Sequence, residues 1–204
     1  MLLRIVRLAI VYELRMWVDL FKWVTRRPVI DEPGAVPYSY ARTITPILIA
    51  FIAVSAIEIP ILDLLLPWQT VRIIAVALGV WGVIWMVGIL AGVRIIPHTV
   101  GPSGLRIRGR GQLDFTVPWE YIASLRAVDR SQSGKEVRVE GEVLWVSVLK
   151  QTNVHVTFRY PTTVELPAGE TPPVRELRFA ADEPADLVAA ARQHLESPDR
   201  VYLG

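Results

Sequence analysis

The sequence predicts an α+β membrane protein: an N-terminal amphipathic helix, a two-helix transmembrane hairpin, and a β-rich head with one helix behind it. Three observations carry this. Two apolar runs, 43–66 and 70–93, are separated only by Pro67-Trp68-Gln69. At 1.5 Å per residue, each outreaches the roughly 30 Å hydrocarbon core of a bilayer. Beyond residue 95 the pattern changes to short segments of alternating apolar and polar residues, followed by an Ala- and Leu-rich stretch of helical period.

Residues 1–27 read as an amphipathic helix. Arg4, Arg7, Arg15, Asp19, Lys22 and Arg26 fall on one side, and Leu3, Val6, Ile10, Leu14, Trp17, Phe21 and Val24 on the other. Such a helix lies in the membrane interface, or packs its apolar face on protein; Glu13 sits awkwardly within that face. Charges break the run too early for a signal peptide, and no small-residue cleavage site follows it. Residues 28–42 hold three prolines and a glycine and read as a linker, with Tyr38, Tyr40 and Arg42 placed at the interface.

The hairpin, 43–94, follows. Its spans lack Asn and Lys, and their few interruptions are Pro46, Glu58, Pro60, Asp63 and Arg72. Glu58 and Asp63 stand out because carboxylates in a span are costly and often functional. A tight turn at Trp68 brings Asp63 opposite Arg72 as an interfacial ion bridge. Glu58 has no evident partner; it protonates, reaches water at a Pro60 kink, or hydrogen-bonds within an oligomer. Ala75, Gly79 and Gly82 recur at helical spacing, and Gly88 with Gly92 forms GxxxG. Small faces of this kind pack one span on the other or join two copies of the chain. Residues 1–42 carry seven Lys/Arg, Arg94 and further arginines follow the second span, and the turn carries none. The positive-inside rule then places both termini in the cytoplasm of a multi-pass cell-membrane protein.

In residues 95–204, strand candidates are Leu105–Arg108, Asp114–Val117, Ile122–Val128, Val143–Lys150, Val154–Tyr160 and Val174–Phe179. Asp182-Glu183-Pro184 opens a helix whose Leu187, Val188, Ala191 and Leu195 share one face. Arg106, Arg108 and Arg110 alternate onto one side of a strand close to the membrane in sequence, so they face anionic lipid or form a solvated face balanced by carboxylates. Trp119 anchors a corner of the core; Trp17, Trp23 and Trp68 suit interfacial belts.

Hydrophobic content of 52% and mean hydropathy of +0.37 reflect the spans. With 22 cations against 20 anions, the chain has no electrostatic footprint for nucleic acid. The lack of cysteine excludes thiolate metal sites and Cys nucleophiles, and suits a reducing compartment. His98, His155 and His194 show no ligand spacing, and no P-loop, GxSxG, HExxH or dinucleotide fingerprint is present. No catalytic residue, metal or cofactor is expected.

Gly104-Leu105-Arg106-Ile107-Arg108, Val117-Pro118-Trp119-Glu120-Tyr121-Ile122 and Asp182-Glu183-Pro184 resemble short motifs of small bacterial membrane proteins that join a two-helix hairpin to a pleckstrin-homology-like (PH-like) domain. The resemblance covers about residues 44–196 and leaves out the N-terminal helix. It implies an antiparallel sandwich or partial barrel capped by one helix, and a membrane-tethered interaction module without chemistry of its own. The function expected is a membrane-anchored scaffold recruiting protein partners at the inner face; the alternative is an accessory or regulatory subunit of a larger membrane complex such as a transporter. The lipid bilayer, a protein partner and a second copy of the chain are the expected associates.

Overall fold

A computed structural model describes residues 17–18, 20–25, 32–109, 113–167 and 169–196. Most of the helix expected over 1–27, the start of the linker and Arg110 lie outside the described residues. Two compact units form, one from 1–28 with 44–95 and the other from 29–43 with 96–204.

In the first unit, α1 (Thr45–Leu65) and α2 (Gln69–Ile95) form a hairpin. Pro46 fits the first turn of α1, where a missing N–H costs nothing. Pro60 lies inside α1, which continues to Leu65 before the extended Leu66. Both helices are long and apolar enough to cross a membrane. No residue of α1 is buried, and Phe51, Leu64 and Leu78 are each more than half exposed. In water, each such side chain forgoes roughly 2 kcal/mol of burial. Backbone at 17–18 and 20–24 is helical, and the Trp17 ring lies 5.9 Å from that of Trp81 on α2.

The second unit holds two main sheets. Strands β1 (Val36–Tyr38), β2 (His98–Gly101), β3 (Gly104–Arg108) and β4 (Asp114–Val117) pair antiparallel in that order. A 3₁₀ turn, Trp119–Tyr121, leads into the second sheet. Its strands are β5 (Ile122–Ser131), β6 (Val137–Glu140), β7 (Val143–Val146), β8 (Gln151–Thr162) and β11 (Val174–Phe179), in the spatial order β5-β8-β11-β7-β6. A small hairpin of β9 (Glu165–Leu166) and β10 (Gly169–Glu170) precedes β11, and α3 (Pro184–Glu196) follows it. The sheets do not close into a barrel.

Alternation drives the burial. In β8, Thr152, Val154, Val156 and Phe158 point inward while Asn153, His155 and Thr157 point out. Val154, Val156 and Phe158 join Leu105, Ile107 and Val117 of the first sheet and Leu187, Val188 and Ala191 of α3 in one core, which contains no residue of 44–95. Gly104 makes the β2–β3 turn: its φ is +149°, and a Cβ there would overlap the Val117 carbonyl.

Three features depart from the expectations. The stretch read as a linker contains β1, whose Tyr38 pairs with His98. The sheets are not wholly antiparallel, because β11 inserts between β8 and β7. β8 runs antiparallel to β11 and β7 parallel to it. A strand placed between the two arms of a hairpin must run parallel to one of them. Finally, the strand expected over 143–150 ends at Val146, because Leu149 and Lys150 turn at φ +48° and +63°.

Candidate functional site

Asp63 and Arg72 come together across the hairpin turn, with Arg72 Nε 3.5 Å from Asp63 Oδ1. Glu58 is exposed on α1 and makes no ion pair or hydrogen bond among the described residues. Of the small residues, Gly79 packs on Ile59, where a Cβ would lie 2.8 Å from Ile59 Cγ1. Gly82 opens onto free space, Gly88 is buried, and Gly92 is half-buried.

Arg106 and Arg108 lie on the same side of β3, and both turn toward Asp114. Arg106 binds Asp114 through two bonds of 2.6 and 2.8 Å. Arg108 is buried, with a side-chain exposure of 2%, and its Nε lies 3.6 Å from Asp114. Burial alone would push the Asp114 carboxyl up, but Arg106 and Arg108 outweigh it and hold the carboxyl below its usual range. The expectation of a lipid-facing cation is therefore corrected at Arg108, which turns toward this carboxylate.

The second unit contains polar features that sequence reasoning did not single out. His98 is buried between Tyr40, stacked at 4.8 Å, and the edge of Phe179 at 5.1 Å. Its Nδ1 accepts the Arg108 backbone N–H at 3.1 Å, so Nε2 carries the proton and donates to Ala180 O at 3.0 Å. Burial holds its pKa down at about 4, against the opposing pull of the Ala180 carbonyl and Asp182. Nearby, segment 38–42 is stitched to the start of α3. Asp182 N–H donates to Ser39 O at 2.7 Å, and the Arg42 N–H donates to the Asp182 carboxylate at 3.0 Å.

Across the outer face of the second sheet, the register aligns Arg126, His155, Arg178, Trp145 and Arg138 in one row. Arg178 and Arg138 cover the Trp145 ring at 4.6 and 5.8 Å. Each also pairs at 2.6 Å with a glutamate of its own strand, Glu176 and Glu140. Burial first, then Arg178, pushes the His155 pKa down.

Two concave spaces lie on the described residues of the second unit. An open groove of about 710 Å³ runs beside β4, the edge of the first sheet, and is lined by Pro118, Tyr121, Leu166 and Pro167. A polar cavity of about 400 Å³ lies at the end of β5 and β8 and is lined by Asp129, Arg130, Ser131 and Thr43 among others. Among the described residues, no three His, Asp or Glu side chains gather as a metal site would require. The signals for the row and the cavity lie in strand register and in a bulge, which a sequence does not expose. Comparison with protein-family models, with curated protein sequences and with solved structures found no match.

Proposed function

We propose that this chain is a membrane-anchored binding module: α1 and α2 cross the cytoplasmic membrane, both termini face the cytoplasm, and a PH-like domain organises protein partners at the inner face. One observation carries the reading. α1 is an apolar helix of 21 residues without a buried side chain, and the core of the β unit contains no residue of it. The cations on both flanks of the hairpin support the orientation. Two successive sheets followed by one helix support the PH-like assignment, and the parallel β7–β11 pair departs from it. The groove beside edge strand β4 suits an extended partner segment, which would add a strand there.

Affinity purification in a mild detergent, with mass spectrometry, tests this. Recovery of soluble proteins in stoichiometric amounts, lost when Thr116 on β4 is replaced by proline, is the expected result. Recovery of nothing beyond the chain itself rejects the module. A second reading, a subunit of a larger membrane complex, is favoured by Glu58, an exposed carboxylate on an apolar helix. That reading requires a polytopic protein to co-purify and to be lost with Glu58→Leu.

A further inference from the structure

We propose that the 400 Å³ cavity at the end of β5 and β8 binds the zwitterionic headgroup of a phospholipid, with its ammonium on Asp129 and its phosphate on Arg130. The inference rests on the reading of α1 as a membrane span.

The site is built by a bulge. Adjacent residues of a regular strand point to opposite faces. The β5–β8 register shifts between Ala127 and Arg130, and Asp129 and Arg130 both border the cavity. Neither side chain makes an ion pair or hydrogen bond among the described residues. The other carboxylate of the lining, Asp182, already accepts the Arg42 N–H. One uncommitted cation and one uncommitted anion therefore share a space of small-molecule size, with the Ser131 and Thr43 hydroxyls beside them.

That charge pattern selects the ligand class. A phosphate beside an amine satisfies both groups. An anionic headgroup would satisfy Arg130 and set its charge against Asp129. A polyphosphorylated headgroup would need several cations where the lining offers one.

Position supports a lipid over a free zwitterion. Thr43 lines the cavity and stands two residues before Thr45, the first residue of α1. Two residues span at most about 7 Å, so this wall of the cavity lies at the headgroup layer when α1 crosses the bilayer. On the same rim, Val148 and Gln151 carry a turn whose tip, Leu149-Lys150, holds an apolar side chain 39% exposed beside a cation. Such a tip suits a membrane interface.

The test uses the full chain mixed with vesicles of equal phosphatidylethanolamine and phosphatidylglycerol, floated, extracted gently and read by native mass spectrometry for the lipid it retains. Wild type is expected to retain phosphatidylethanolamine over phosphatidylglycerol by about tenfold. Asp129→Asn should abolish the preference, Arg130→Gln should remove retention of both lipids, and Asp129→Arg should invert the preference. Both positions are exposed, so unchanged melting temperatures show that the variants fold. A chain that floats but retains both lipids equally, or whose variants behave as wild type, overturns the headgroup site and leaves the span standing. A chain that does not float overturns both. Displacement of the lipid by equimolar O-phosphoethanolamine overturns the lipid assignment.

Discussion

His98 shows how much one buried side chain can decide. It joins β2 to β3 and to the end of β11 as a neutral ring, and Nδ1 can accept the Arg108 N–H only while unprotonated. Its folded pKa of about 4 lies below the usual 6.5, so the unfolded chain takes up this proton first as pH falls. The stability that follows is complete above pH 6.5 and is lost as pH falls toward 4, at most roughly 3 kcal/mol. Denaturant unfolding at pH 7 and pH 4.5 should therefore show a smaller loss for His98→Gln than for wild type. Equal losses would mean that His98 does not couple to the proton. Gly104 gives a second prediction of residue size. Gly104→Ala should cost roughly 2–3 kcal/mol, because it adds strain at φ +149° and an overlap with the Val117 carbonyl. At Gly141, whose φ is +59° in open space, asparagine should be tolerated, and thermal unfolding separates the two cases. Gly104 was legible in the sequence as the residue before the Leu105–Arg108 strand; the carbonyl that makes it irreplaceable comes from β4 and was not.

Elements were legible where their period was long and their chemistry local. The two apolar helices and α3 were read from hydropathy and an acidic, proline-bearing start, and the strands around Leu105, Phe115, Leu125, Val156 and Leu177 from alternation. β1 was not, since a three-residue strand carrying Pro37 has neither length nor pattern, and it exists only because β2 offers an edge. The β7–β8 turn was hidden for a different reason. Val148 and Gln151 exchange two backbone hydrogen bonds around Leu149-Lys150, and both central residues are left-handed. Asn-Gly is the sequence that such a turn favours. Replacing Leu149-Lys150 by Asn-Gly should raise stability by about 1 kcal/mol, visible as a higher denaturant midpoint with an unchanged slope. A fall would show that the Leu and Lys side chains contribute more than the turn strain removes. The hairpin offers a paired test. Gly79→Ala drives a methyl into Ile59, whereas Gly82→Ala meets nothing, so only the first should lower the melting temperature in detergent. Alanine gains about 1 kcal/mol of helix propensity at either site, which Gly82→Ala keeps.

At the scale of the whole chain, the second unit is discontinuous in sequence, and the linker reading missed this because its evidence lies in pairing across some sixty intervening residues. Tyr38, Tyr40 and Ala41 are buried in that unit, the first within its core, and segment 38–42 is bonded to Asp182. The β unit therefore needs segment 36–42 as well as the strands and helix that follow residue 96. Its two ends adjoin one another, since Tyr38 pairs with His98, five residues before Thr43 and two after Ile96. About seven residues of chain and the width of one strand pair separate the two ends, so they stand no more than about 30 Å apart, within reach of a linker of about eight residues. Replacing 44–95 by a Gly/Ser linker of that length should yield a protein that is monodisperse in plain buffer and unfolds cooperatively. Residues 96–204 alone should be markedly less stable, because His98 loses its stacking partner Tyr40 and β2 becomes an unpaired edge. Size-exclusion chromatography and thermal unfolding decide it. If the linked form aggregates while the wild-type chain does not, the β unit depends on the helices, and the division of this protein into an apolar hairpin and a self-sufficient β head is wrong.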